Sequence, residues 1–254
     1  MKQSNVHNMD YIKLKDQCVQ WIRDWFDRNG QGCCAVLGMS GGKDSTVAAA
    51  LCAEALGKDR VVGVAMPAEG QSLNGADAIC GYLGIRYICA PIGGIIKSFD
   101  DVRAVVPEGF SNQAEQNIPP RVRMCVLYAV SQSLNGRVVN TCNLSEDWVG
   151  YATRWGDSVG DFSPLGGLVV REIKGIGHAL GLPAEWVDKI PDDGLPHSCS
   201  DEQKFGFTYD TLDTYIRTGV CEDPAIREKI DGMHRRNWFK MSMPEAFGIS
   251  GEQE

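Results

Sequence analysis

The chain has 254 residues, 43% hydrophobic and 23% charged, which supports one sizeable α/β core and excludes a disordered chain. Its net charge of -8 and isoelectric point near 5.1 oppose nucleic acid and anionic lipid, so any anionic ligand needs a local basic pocket. No apolar run approaches the roughly 20 residues of a membrane span, and the start MKQSNVHNMD lacks a signal-peptide pattern, which predicts a single-domain cytosolic protein.

Between Asp10 and Gly30 the residues Leu14, Cys18, Ile22, Trp25 and Phe26 fall at helical spacing, and Asn29-Gly30 supplies a stop. "CCAVLGM" (33–39) is a continuous apolar run of strand length, and "KDSTVAAALCAEAL" follows as a helix closed by Gly57. "RVVGVAMP" (60–67) reads as strand, "GADAICGYLG" as helix and "RYICAP" as strand. Strands apolar throughout, alternating with helices, predict a doubly wound parallel sheet flanked by helices.

Pro119 and Pro120 suit the first turn of a helix that runs to about Leu134, where Asn135-Gly136 ends it. "RVVNTC" is the next expected strand. "NLSEDWVGYATRWGDSVGDFSPLGG" is polar and glycine-rich, a long functional loop interrupted by one short helix. Helices are expected in "LVVREIKGIGHALG" and "PAEWVDKI", then a loop from Pro191 to Ser200, then helices near Tyr209 to Arg217 and Pro224 to Arg235. The ten cysteines contain no C-x-x-C, and several (Cys52, Cys80, Cys89, Cys125) sit in apolar runs, so they read as buried hydrophobes in a reducing compartment. His7, His178, His197 and His234 are scattered and lack zinc-type spacing.

The join between the first strand and the following helix, "VLGMSGGKDS" (36–45), admits two chemistries. Gly38-Met39-Ser40-Gly41-Gly42 fits the G-x-S-x-G turn that exposes a nucleophilic serine. That reading also requires a base, an orienting acid and an oxyanion loop of HGGG type, and no such loop is present. The same letters fit a phosphate cradle in which Gly41 and Gly42 free backbone N–H groups, Lys43 adds a cation, Asp44 offers a magnesium ligand and Ser45 a hydroxyl. It is not a Walker A loop, whose G-x-x-x-x-G-K-[ST] spacing is missing.

"SGGKDS" resembles the signature of the ATP pyrophosphatases. "NIPPRVRMCVLYA" (117–129), "TCNLSEDWVGYATRWGD" (141–157), "DFSPLGGL" (161–168), "DEQKFGFTYDTLDTYI" (201–216) and "MHRRN" (233–237) narrow the resemblance to the ammonia-dependent NAD synthetases. The resemblance implies an adenine nucleotide alpha hydrolase-like fold and a homodimer that uses ATP, magnesium, deamido-NAD and ammonia. ATP would adenylate the nicotinate carboxylate of deamido-NAD, releasing pyrophosphate, and ammonia would displace AMP to give NAD. Residues 1–254 would form one such domain.

By the same resemblance Gly38, Met39, Ser40, Gly41, Gly42, Lys43, Asp44 and Ser45 would hold the ATP phosphates, Met66 the adenine and Thr141 another part of ATP. Asp44 and Glu146 would bind magnesium, while Arg121, Arg154, Asp161, His234 and Arg235 would bind deamido-NAD. Asp157 or Asp161 would help ammonia arrive unprotonated. From the residues alone, Arg121 and Arg154 equally suit solvated cations, Glu146 a helix-start acid, Asp157 a turn carboxylate and Met66 a buried strand residue. The sequence departs from the family where Val170 replaces a lysine and Asp192 a threonine, both expected at ATP; Lys174, about one helical turn on, brings an ammonium to the same face.

Other ATP pyrophosphatases are the nearest rivals, but the tRNA thiolation enzymes call for C-x-x-C or a basic RNA surface, and neither is present. A nucleotide sensor has no use for a complete magnesium pair. Glutamine-using relatives carry a separate amidase domain, and the spread of motifs from Gly38 to Arg235 leaves no room for one.

Overall fold

A computed structural model describes residues 9–189 and 200–245. Asp10 opens α1 (Tyr11–Asn29) by accepting the Lys13 N–H at 3.0 Å, and Gly30 closes it. Next come β1 (Cys34–Gly38), α2 (Lys43–Leu56), β2 (Val61–Ala65), α3 (Ala76–Leu83) and β3 (Arg86–Cys89). Two short helices, α4 (Gly93–Lys97) and α5 (Asp100–Val105), precede α6 (Asn112–Ser133) and β4 (Gly136–Val138). The remaining elements are helices: α7 (Leu144–Val149), α8 (Val170–Ala179), α9 (Ala184–Val187), α10 (Asp201–Phe205), α11 (Tyr209–Thr218) and α12 (Pro224–Met241).

The four strands are parallel in the order β3-β2-β1-β4, with Ala35 opposite Val61 and Val36 opposite Val138. Successive side chains of a strand face opposite ways, and β1 shows it: Ala35 and Leu37 join one apolar layer, Val36 the other. The first layer is closed by α1, α2 and α8, where Trp25 and Phe26 meet Phe162 at centroid distances of 4.6 and 5.2 Å. The second is closed by α6 through Ile118, Val122 and Leu127. A third cluster, Val149, Val170, Phe205, Phe207, Tyr209, Leu212 and Ile230, gathers α7, α8, α10, α11 and α12 beside the sheet.

Of the cysteines expected to be buried, Cys52 and Cys80 are, whereas Cys89 at the end of β3 and Cys125 on α6 are exposed. Two expected elements also need correction. The sequence predicts a helix that starts at the proline pair, whereas α6 starts at Asn112 and carries Pro119 and Pro120 inside it. Ser111 caps the true start through the Ala114 N–H at 3.2 Å, and Arg103 grips Glu115 with two nitrogens at 2.6 Å. These contacts stabilise a first turn that offsets the N–H groups the prolines withhold. The strand expected in "RVVNTC" stops at Val138 apart from one bridge from Val139 to Phe162, because Asn140 turns its N–H to the Phe162 carbonyl at 2.9 Å.

Candidate functional site

After β1 the chain proceeds outward through β2 and β3, then crosses back to lay β4 on the other side of β1. The carboxyl ends of β1 and β4 therefore flank a switch point, where open parallel sheets take up ligands. The loop from Gly38 to Ser45 leaves one of those ends, and the segment from Thr141 to Glu146 leaves the other.

Gly41 has φ of 76°, and a β-carbon there would collide with the Asn74 backbone carbonyl and side chain, so only glycine lets the loop pass. Gly42 caps the 14-residue α2 without a side-chain hydrogen bond, which leaves first-turn N–H groups free for an anion. Ser45 and Thr46 turn their hydroxyls back to the Gly42 carbonyl at 3.2 and 2.8 Å. The Ser40 hydroxyl meets the Gly42 N–H and the Ser45 hydroxyl, both at 3.2 Å. His178 pairs with Asp188 and His234 with the Trp148 carbonyl, so neither described histidine serves Ser40 as a base. The arrangement favours a phosphate cradle over a nucleophile turn.

Lys43 is only 4% exposed, and its Nζ lies 2.8 Å from Asp44 Oδ2 and 5.9 Å from the centre of the Tyr209 ring. Burial acts to lower its pKa, yet the negative charges of Asp44, Glu146 and Asp201 outweigh burial and hold it above the ordinary value. Asn143, fully buried, joins the two loops: its amide donates to Asp44 Oδ1 at 3.3 Å and its carbonyl oxygen accepts the Glu146 N–H at 3.0 Å. Burial first, and then the Asp44 charge, push the Glu146 carboxyl up to about 8. Two hard oxygen donors that repel each other without a cation fit a magnesium ion.

Behind this pair, burial pushes Asp147 up to about 6, with the Asp157 charge adding to the effect. Asp157 is also raised by burial, while its Oδ1 accepts the Thr153 N–H at 2.8 Å. Asp157 thus combines the turn role with a position beside the acids. Thr141 follows β4 closely and is half-buried at its exit. Met66 directly follows β2 and is buried, its methyl 3.3 Å from where a β-carbon on Gly38 would lie.

The basic residues sit on a second rim. Arg121 Nε donates to the Arg154 carbonyl at 3.4 Å. The Arg154 guanidinium lies 5.0 Å from the Trp155 ring centre and 5.4 Å from that of Phe239, with Nη2 bonded to the Ser242 carbonyl at 3.1 Å. Asp161 accepts the Val138 N–H at 2.6 Å, which ties it to β4. His234 and Arg235 diverge: His234 stacks on Trp148 at 4.3 Å and bonds its carbonyl at 2.8 Å, whereas Arg235 pairs with exposed Glu228. His234, Asn237 and Lys240 of α12 meet the successive carbonyls of Trp148, Val149 and Gly150, capping the end of α7, whose start carries Glu146.

Val170 lies buried in the third apolar cluster. Lys174 is half-buried and makes no hydrogen bond or ion pair among the described residues, and Asp192 lies outside them. Sequence reasoning does not single out Asp201 or Tyr209, yet both face the loop. The Tyr151 and Tyr209 hydroxyls donate to Asp201 at 2.8 and 3.3 Å, and the phenol of Tyr209 is pushed far up by burial and then by Glu146 and Asp201. Their sequence signals are the stretch 201–216 that carries the resemblance and a capping pattern, Ser200 with Gln203, at its start.

A parallel α/β sheet with an anion-binding helix start and paired acids at its switch point defines a nucleotide-binding enzyme fold. The NAD synthase family profile matches residues 14–244. The chain is 38% identical over 193 residues to the NH(3)-dependent NAD(+) synthetase of Methanococcus aeolicus, covering 75% of each, and 39% identical over 209 residues to that of Methanocaldococcus jannaschii, covering 81% and 80%. Among solved structures it resembles the NMN synthetase of Francisella tularensis, with a TM-score of 0.86 and 26% identity over 95% of this chain and 100% of that one. The NH3-dependent NAD synthetase of Campylobacter jejuni superposes with a TM-score of 0.75 and 29% identity over 94% and 100%. The chain belongs to the NAD synthase family and is an enzyme of the ligase class.

Proposed function

We propose that the chain amidates deamido-NAD with ammonia at the expense of ATP, through an adenylated carboxylate, giving NAD, AMP and pyrophosphate as the final step of NAD biosynthesis. The observation that carries this reading is the meeting of Asp44 and Glu146 through Asn143 beside free helix-start amides. A carboxylate is a poor acceptor for ammonia, so its oxygen must first leave as a better group, and phosphate activation supplies that.

Gly38 to Ser45 hold and orient the ATP phosphates, with the N–H groups at the start of α2 directed at the negative charge. Asp44 and Glu146 would hold magnesium, which when bound neutralises charge on the departing pyrophosphate. Lys43 keeps a fixed positive charge in the loop. Met66 lines the base end and Thr141 the opposite wall of the ATP site. Arg121, Arg154 and Asp161 orient the acyl substrate, and His234 and Arg235 approach it from α12. Asp157 receives a proton from ammonium at its carboxylate. Lys174 stands in for the lysine absent at Val170. The reading extends to one domain over residues 1–254, working as a cytoplasmic homodimer.

The test is formation of AMP and NAD from ATP, magnesium, ammonium and deamido-NAD by the purified chain. The superposition on the Francisella tularensis NMN synthetase favours a second reading with the same chemistry, amidation of nicotinate mononucleotide. Running both acyl substrates side by side separates them: a higher kcat/KM for the mononucleotide would replace the dinucleotide reading.

A further inference from the structure

Arg123, half-buried in the middle of α6, is a partly desolvated cation. Burial lowers its pKa, and the opposing attraction comes from Asp157, which lies beyond ion-pair distance. Its guanidinium is instead spent on neutral oxygens: Nε donates to the Met66 carbonyl at 3.1 Å and Nη2 to Gln71 Oε1 at 2.7 Å. Gln71 Oε1 also accepts the Ala68 N–H at 3.1 Å, and the Gln71 N–H returns to the Ala68 carbonyl at 3.1 Å. Residues 66–71, the stretch leaving β2, are thereby drawn into a closed loop whose shape depends on one guanidinium. The Pro67 carbonyl accepts the Ile92 N–H at 3.0 Å, which backs the loop against the exit of β3.

This loop borders the phosphate cradle, because the Met66 methyl rests over Gly38. The two sides of the cradle differ in chemistry. The β4 side carries Asn143, Glu146 and Asp147 and suits a cation and phosphates, whereas the β2 side presents Met66, Pro67 and Ala68 and suits the flat, uncharged base of a nucleotide. A half-buried charge kept only for packing is a poor device, since an apolar side chain of like volume does the same at lower desolvation cost. What a guanidinium supplies is a rigid fork that holds two acceptors at a fixed spacing.

We propose that Arg123 is a positioning residue for ATP: by holding the Met66 carbonyl and Gln71 it fixes the 66–71 wall against which the base of the nucleotide rests. The proposal depends on the ATP reading given above but on no particular acyl substrate. It is tested by calorimetric binding of α,β-methylene ATP and, separately, of pyrophosphate to the whole chain with no acyl substrate present. Gln71→Ala and Arg123→Lys each weaken binding of the analogue about tenfold, as expected when one hydrogen bond to a charged group is removed. Pyrophosphate affinity stays unchanged, and Gln71→Glu, which offers a carboxylate to the same two donors, retains analogue binding. Gln71 is only half-buried, so its variants test the idea even where Arg123→Lys fails to fold. Analogue binding unaffected by Gln71→Ala, or a parallel loss of pyrophosphate affinity, would overturn the proposal. Wild type that binds pyrophosphate but not the analogue would overturn the ATP reading as well, a result distinct from failure of the Gln71 variants alone.

Discussion

Asn143 donates its amide to Asp44 at 3.3 Å and caps α7 with its carbonyl oxygen, so a single buried side chain sets the spacing between the two acids of the site. Asn143→Ala removes both hydrogen bonds. Loss of a helix N-cap costs about 0.5–2 kcal/mol, read as a lower urea midpoint. The same change frees Asp44 from α7, so AMP release falls by more than stability alone explains. Asn143→Asp keeps a capping oxygen, but it loses the amide that donates to Asp44 and sets another acid beside Asp44 and Glu146, so turnover stays low. Full turnover in Asn143→Asp would show that the bond to Asp44 is incidental.

Ser145 joins three helices. Its hydroxyl donates to Asp213 of α11 at 2.6 Å and accepts the Val170 N–H of α8 at 3.1 Å, while the other Asp213 oxygen takes the Arg171 N–H at 2.8 Å. Ser145 and Asp213 are both buried, so water cannot replace the missing partner. Ser145→Ala leaves a buried donor and a buried acceptor unmet, each costing about 1–3 kcal/mol. Equilibrium denaturation should register a loss of about 2–6 kcal/mol with an unchanged m-value; an unchanged midpoint would mean that the helices repack around the gap.

The glycine pattern at residues 38–42 is legible in the sequence because a strand, a tight turn and a helix start are local events with local residue requirements. The strands β1 and β2 are legible as apolar runs for the same reason. The start of α6 is not, since the Arg103–Glu115 pair that secures it joins separate helices. Asn143 carries an ordinary capping signal and nothing to indicate Asp44, 99 positions away in sequence. Asp201 and Tyr209 reach the phosphate loop only because α10 and α11 fold back beside α7, a matter of packing in the third apolar cluster. Arg121, Arg154 and Asp161 stand out by resemblance, and the fold gives them partners that spacing could not reveal.

The two rim arginines should separate in their effects. Arg121 is exposed and makes one long hydrogen bond, so Arg121→Ala raises the KM for the acyl substrate more than that for ATP and leaves thermal stability near wild type. Arg154 lies between Trp155 and Phe239 and holds the end of α12 at Ser242. Arg154→Ala therefore raises the same KM and also lowers the melting temperature, by the equivalent of about 0.5–1 kcal/mol for each of the two cation–π pairings it abolishes. Initial rates with each substrate varied in turn, together with thermal melts, resolve the two. Equal rises in KM for ATP and for the acyl substrate would point to a purely structural role.

The source of nitrogen is a further prediction, and the thiols bear on it. An amidase that takes ammonia from glutamine needs a thiolate, hence a cysteine whose pKa is lowered by positive charge or a helix start. Four described cysteines go the other way. Burial pushes Cys52 up to about 12 and Cys80 up to about 11, and it raises Cys18 as well. Cys142, beside the acids of the site, is raised well above its ordinary value by burial and then by Glu146, Asp157, Asp147 and Asp44. Ammonia itself is then the nucleophile, and only its unprotonated form attacks an acyl centre. Amidation by the purified chain should proceed with ammonium salts and quicken as pH rises and free ammonia increases. Glutamine freed of ammonium should give almost no product. Efficient glutamine-dependent amidation by the chain alone would refute the assignment.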